Sequence, residues 1–534
     1  MNKTLSSAVV VACLTLTLGR ATSWGQVPAT NDKSDTHGNT GGGTSALVKV
    51  TPGSPSSFSG SNNTAYGAAA LSATTSGFLN TAVGLNALTS NSGGYENTAT
   101  GAGALATNTD GHNNTAYGFE ALLNNNGNAN TAVGSDALMS NTTGFSNTGI
   151  GYLVLSSNIS GTYNTAVGFV ALNQNTGDIN TAIGAFALEK NTSGAANTAN
   201  GYEALKLNTT GQGNTASGAG ALRNNTTGSF NSAVGEFALS LNTSGTFNTA
   251  SGQGALQKNT SGGANTASGV GALGNTTTGS SNTANGFQAL VRNTIGYRNT
   301  AGGYQALSNT TTGTHNTVLG YQALLNNTSG SRNIALGPQA GFHLASGDLN
   351  IYLGNTGATT ESNTMRLGSA QTKTFIAGIA GVAVSGAPVT INSSGQLGIA
   401  ASSARYKRDI AAMGMHSQGL FQLRPVTFHY KQDTQGQRQY GLIAEEVAKV
   451  YPELVVRGAD GKMESVQYHE LIPMLLNEVQ RQQQQIAELQ AQNARLQAAL
   501  EQQDEEQRAQ NAALATRLER LEQGATRAAT LATR

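Results

Sequence analysis

Asn164-Thr165-Ala166-Val167-Gly168-Phe169-Val170-Ala171-Leu172-Asn173-Gln174-Asn175-Thr176-Gly177 is the stretch on which the reading of the fold turns. Its Asn-Thr start, or a close variant, recurs eighteen times from Asn63 to Asn350, seventeen residues apart with two slips to sixteen. The consensus is N-T-A-x-G-x-x-A-L-x-x-N-T-T/S-G-x-x. So short and regular a period is the mark of a solenoid, in which each coil stacks on the one before. Helical coils are excluded by the two or three glycines and two asparagines in each period, which break a helix and leave no apolar stripe. The pattern instead predicts two short strands per coil, Thr-Ala-x-Gly and x-Ala-Leu, with Asn and Gly at the turns and taking the positive-φ positions. A core of alanine and glycine is thin. The leucines at one constant place, Leu88, Leu105, Leu122, Leu138, Leu172 and Leu188, therefore read as a stripe that packing of identical rods would cover.

The composition outside the motif agrees with a low-charge shaft. Of 534 residues 68 are glycine, without the three-residue period of collagen, and only 11% are charged. The net charge of +1 provides no field to draw nucleic acid. Sixteen basic and sixteen acidic residues lie after Ala400, so the charge is concentrated in the C-terminal quarter. At the other end, Lys3, the apolar run Leu5 to Leu18 and Ala21-Thr22-Ser23 have the pattern of a secretory signal peptide over 1–25. Its apolar run is short of the roughly 20 residues of a membrane span, so no transmembrane segment is expected after its removal. The single cysteine, Cys13, falls inside it, leaving neither disulfides nor a cysteine nucleophile in an exported chain. Polar residues 26–61 read as a flexible leader, residues 62–355 as the solenoid.

Asn80-Thr81-Ala82-Val83-Gly84 and Asn164 to Gly168 resemble the head repeats of trimeric autotransporter adhesins. That resemblance implies a left-handed parallel β-roll in a trimer, serving as an adhesin or spacer with a host or surface glycan or protein as ligand. Catalysis on the shaft is not expected. Polysaccharide cleavage on such scaffolds uses paired carboxylates, and only sixteen scattered charges lie between Thr51 and Asn350. His112, His315 and His343 have no regular partners, so no metal and no cofactor is expected. The many Asn-x-Ser/Thr triplets match glycosylation acceptors, but turn chemistry explains the same letters.

Past the repeats, Thr374 to Val382, Pro388 to Ile391 and Gly395 to Ile399 read as strands of a β-neck over 356–401. From Ser402 the composition is that of a globular domain. Ser402-Ser403-Ala404-Arg405-Tyr406-Lys407, Leu423-Arg424-Pro425-Val426, Gly441-Leu442-Ile443-Ala444-Glu445-Glu446-Val447 and Ser465-Val466-Gln467-Tyr468 with Leu471-Ile472-Pro473 closely resemble the self-cleaving intramolecular chaperone at the C-termini of phage endosialidases and tail fibres. The resemblance implies an α+β module over 402–474 that trimerises the β-fibre before it and then cuts itself off. It makes Ser402 the nucleophile, Lys407 its base and Ala401-Ser402 the scissile bond. The family often carries Asp directly after the serine, where this chain has Ser403. A lysine acts as base only when desolvation lowers its pKa, which a trimer interface could supply, so cleavage would wait for assembly. Residues 475–523 read as a coiled coil, with Ile486, Leu489, Leu496 and Leu500 at 3-4 spacing, Asn493 on the seam and a phase shift before Leu514, Leu518 and Leu521. Residues 524–534 form a short tail. The expected whole is a secreted homotrimeric fibre with a single-turnover auto-endopeptidase. A phage-type depolymerase and a purely structural coat fibre are the alternatives.

Overall fold

The computed structural model describes residues 33–49, 59–377 and 388–533, apart from 393, 432, 434, 435 and 459. The signal peptide expected over 1–25 lies outside the described residues. The chain divides into two compact units, Met1–Ile376 and Ala377–Arg534.

The first unit is a parallel β-solenoid. Each repeat contributes one three-residue strand, and twenty strands from Thr40–Gly42 to Met365–Leu367 pair in parallel. Register is strict: Thr81 faces Thr98 and Ala82 faces Ala99, and the same holds coil after coil. Strand alternation explains the triplet Thr-Ala-x. The central alanine points inward and is fully buried, as in Ala82, Ala166 and Ala233, while the flanking residues point out.

The second predicted strand is not there. Across x-Ala-Leu the backbone turns left-handed at alternate residues, with φ of 58° at Val170 and 48° at Leu172. An extended strand would have put one of the neighbours Ala171 and Leu172 outside; the turn buries both completely. A left-handed non-glycine residue costs about 1–3 kcal/mol. Burial of a leucine returns about 1.5–3 kcal/mol, and Leu172 N also donates to Ala187 O at 2.9 Å. The expected intermolecular leucine stripe is thereby corrected: Leu88, Leu105, Leu122, Leu138, Leu172 and Leu188 are all fully buried within their own chain. Glycine closes the strand because the next coil is too near for a side chain. A Cβ on Gly168, at φ 143°, would meet Gly184 O at 2.5 Å.

The repeat asparagines do not occupy the positive-φ positions either. They form two buried columns along the coil axis. In the first, Asn231 donates from both N and Nδ2 to Asn214 Oδ1, at 3.0 and 3.1 Å, and from Nδ2 to Gly245 O at 2.8 Å. In the second, Asn208 Nδ2 donates to Asn191 Oδ1 at 2.7 Å and to Gly211 O at 2.9 Å. These side chains are fully buried, which is tolerable because, apart from Asn259 Oδ1 and Asn293 Oδ1, their side-chain donors and acceptors are paired. The triplets resembling glycosylation acceptors at Asn141, Asn191, Asn208 and Asn242 are members of the second column and lie inside the protein.

The solenoid is longer at both ends than the repeat count placed it. Within the segment read as a leader, Thr40–Gly42 pairs with Thr64–Tyr66, and Asn39 Oδ1 accepts from Asn63 N and Nδ2 at 2.8 and 3.0 Å. Asp35 covers that end of the column, taking Asn39 Nδ2 at 2.8 Å. Within the segment read as the neck, Met365–Leu367 pairs with Ile351–Leu353. There Asn350 Oδ1 accepts from Thr364 N at 3.1 Å, and the inward alanine is replaced by Tyr352, whose hydroxyl donates to Glu361 at 2.9 Å. Arg366 bonds the same carboxylate at 2.7–3.0 Å.

The second unit begins with the hairpin Thr390–Ile391 with Leu397–Gly398, as read for the neck; residues 378–382 of the neck's first stretch lie outside the described residues. Two further antiparallel pairs follow, Val426–Phe428 with Gln439–Gly441 and Val455–Arg457 with Met463–Val466. Between them stands helix α1, Ala444–Val450, stopped by Pro452. Helix α2 runs from Tyr468 to Ala532, 65 residues, and takes in Gly524 and most of the segment read as a tail. Val447, Tyr451, Leu454, Val455, Val466, Leu471 and Met474 form the core of this unit. Among the described residues no helix is long and apolar enough to cross a membrane.

Candidate functional site

Ser402 and Lys407 lie on either side of a single 3-10 turn, Ala404–Tyr406. Ser403 leads into it with extended backbone, and the turn closes by Tyr406 N donating to Ser403 O at 3.0 Å and Lys407 N to Ala404 O at 3.1 Å. Both side chains are exposed, and no hydrogen bond joins them within the chain. Arg405 lies over the exposed Tyr406 ring at 5.0 Å, and Arg408 meets Asp409 at 3.8 Å, this last pair almost wholly in solvent. One chain therefore presents a serine and a lysine on a solvated basic turn, without the desolvation that a lysine base requires.

The other motif stretches serve to brace the fold. Arg424 of the second stretch forks onto Glu446 of the third, Nη2 to Oε1 at 2.5 Å and Nε to Oε2 at 3.2 Å. The hydrogen bond from Arg424 holds the Glu446 carboxyl below its usual range. Tyr468 of the fourth stretch accepts Leu442 N at 2.8 Å. Gly441 has no room for a side chain, since a Cβ would meet the Tyr468 hydroxyl at 2.6 Å.

Sequence reasoning missed one anchor. Glu478 is 5% exposed, accepting Ser417 Oγ and Arg481 Nη1, each at 2.8 Å. Asn477 Nδ2 adds bonds to Ser417 Oγ at 2.6 Å and Gly414 O at 2.9 Å. This cluster fastens the 3-10 helix Gly414–Gln422 to the first turns of α2. Glu478 and Arg481 at i, i+3 were the available signal, but on a glutamine-rich helix they read as surface charges. Beyond Arg481 every described residue of α2 is exposed, including Ile486, Leu489, Leu496 and Leu500 at 55–65%.

On the solenoid, His112 stacks on Tyr95 at 4.5 Å, and His315 packs edge-on to Tyr297 at 5.3 Å and lies 3.3 Å from Arg298. His343 packs against Phe342. Among the described residues no cluster of His, Cys, Asp or Glu has metal-holding geometry. Glu120 and Asp136 sit at the same place on neighbouring coils, where burial and the Asp136 charge raise the Glu120 carboxyl.

Residues 402–456 match the family described as chaperone of endosialidase. No curated protein and no solved structure matches the chain. The match begins at Ser402 and spans the first three motif stretches, so the resemblance read from them holds; the fourth stretch lies beyond it.

Proposed function

We propose that the chain is a secreted or surface homotrimeric fibre whose C-terminal module acts as an intramolecular trimerisation chaperone and then separates by self-cleavage. The observation that carries this reading is the family match beginning at Ser402, in a chain whose preceding unit is a parallel β-solenoid. The exposed 3-4 seam on α2 supports it, because such a stripe is buried when identical helices associate. The solenoid serves as adhesin or spacer.

In the proposed reaction the Ser402 hydroxyl attacks the Ala401 carbonyl while Lys407 takes its proton. The Ala401-Ser402 amide breaks, its nitrogen is protonated, and water hydrolyses the resulting ester. Association supplies the missing desolvation, so an unassembled chain stays intact. The test is expression of wild type beside Ser402→Ala and Lys407→Ala, read on denaturing and native gels. Wild type releases a fragment of 133 residues and both variants remain whole. An uncut wild type removes the protease; a monomeric wild type removes the chaperone.

A further inference from the structure

The outer sheet face changes its chemistry along the solenoid. The first residue of each strand points outward and is Thr or Ser in every coil from Thr64 to Thr317. In the last three coils it becomes Ile334, Ile351 and Met365, stacked in register. Beside them runs a second outward column, Leu336, Leu353 and Leu367. Only here, among the described coils, are both outward columns aliphatic together. Ile334, Leu336, Met365 and Leu367 are 38–59% exposed in the single chain. The columns themselves carry no charged or polar side chain that would read a sugar, a nucleotide or an ion.

We propose that these two columns are where copies of this chain pack on one another, and that the threonine-faced coils before them stay in solvent. The inference rests on the trimeric reading above. Parallel copies in register offer one another identical aliphatic rows, the arrangement to which an uncharged face is complementary. The face is the part of the solenoid nearest Ser402 along the chain, 35 residues before it, so of all the coils it is the one most closely tethered to the module that joins the copies. At a strand spacing of about 4.8 Å, three coils and two columns cover on the order of 250 Å². That falls well short of the roughly 800 Å² per partner of a stable interface. The patch therefore extends an association that the α2 seam begins and does not create one alone.

Val83 and Leu336 provide a matched pair, because both are third residues of their strands and are 38% and 39% exposed in the single chain. Full-length protein carrying Cys13→Ser and Ser402→Ala would receive either Val83→Cys or Leu336→Cys, with maleimide labelling rate and sedimentation measured together. In the assembled protein Leu336→Cys should label at least tenfold more slowly than Val83→Cys. Equal rates in a trimer overturn the inference and leave the trimer standing, as does protection of both thiols, which would mean contact along the whole shaft. A monomeric protein overturns both readings. Adding Leu489→Asp and Leu496→Asp to break the helix seam should abolish the protection together with the assembly. Protection that persists in a monomer would mean the face is covered by the chain's own residues, which also overturns the inference.

Discussion

Thr276 and Thr310 stand where the second asparagine column asks for Asn, and the consequence is visible one coil earlier. Asn259 Oδ1 and Asn293 Oδ1 are buried without a hydrogen-bond partner, because a threonine hydroxyl does not reach back as an amide does. An unsatisfied buried acceptor costs about 1–3 kcal/mol. Thr276→Asn should therefore stabilise the solenoid by about 1 kcal/mol, raising Tm by about 1–3 °C in calorimetry; a lowered Tm would contradict the column's assigned role. Val170 is a second defect. It holds a left-handed φ of 58° where other coils place Gly103, Gly220 or Gly254, and β-branching makes that conformation worse. Val170→Gly should stabilise by about 1 kcal/mol in denaturant titration. Periodicity made these positions legible. Their conformation was not, because asparagine's preference for turns explains the same letters as a buried amide column does.

At the scale of the element, each end of a solenoid must cover a stack of unpaired amides, and the two ends use carboxylates. Glu361 is the C-terminal one. Burial would raise its pKa, but the hydrogen bonds from Arg366, Ala358 N and Tyr352 prevail and hold it below the usual range. A carboxyl with a depressed folded pKa stabilises fully above its unfolded value, about 4.3, and that contribution is lost as pH falls through the folded value. Hydrogen exchange should thus show strand Ile351–Leu353 losing protection below about pH 4 while Thr165–Val167 keeps its own, and Glu361→Gln should remove the pH dependence. Loss of protection at the same pH in both coils would argue against a local cap. Neither end was read from the repeat: Asn39 lies 24 residues before Asn63, and the final coil spans only 14 residues between Ile351 and Met365, so both break the period that defined the solenoid. The C-terminal module was more legible. Strand Gln439–Gly441 and helix Ala444–Val450, stopped by Pro452, rest on glycine and proline at their ends, which are local signals.

For the whole molecule, the burial of every repeat leucine and ladder asparagine within one chain changes what association is for. Copies are not needed to complete the core, so the proposed chaperone would set which copies meet and in what register. The solenoid without residues beyond Ile376 should fold by itself, with β-type circular dichroism and cooperative melting; an unstructured product would show that its core depends on other copies. A parallel solenoid, a change of material near residue 400 and a long C-terminal helix were legible from composition and period, since breaker spacing and charge are properties of the letters alone. The resemblance singled out Ser402 and Lys407 as well, but a motif carries no information about solvent, and folding leaves both exposed on one turn. Which face of each leucine points inward, which asparagines join into columns and where the outer sheet turns aliphatic depended on coils seventeen residues apart coming into register. That contact is long-range, and neighbouring residues alone do not specify it.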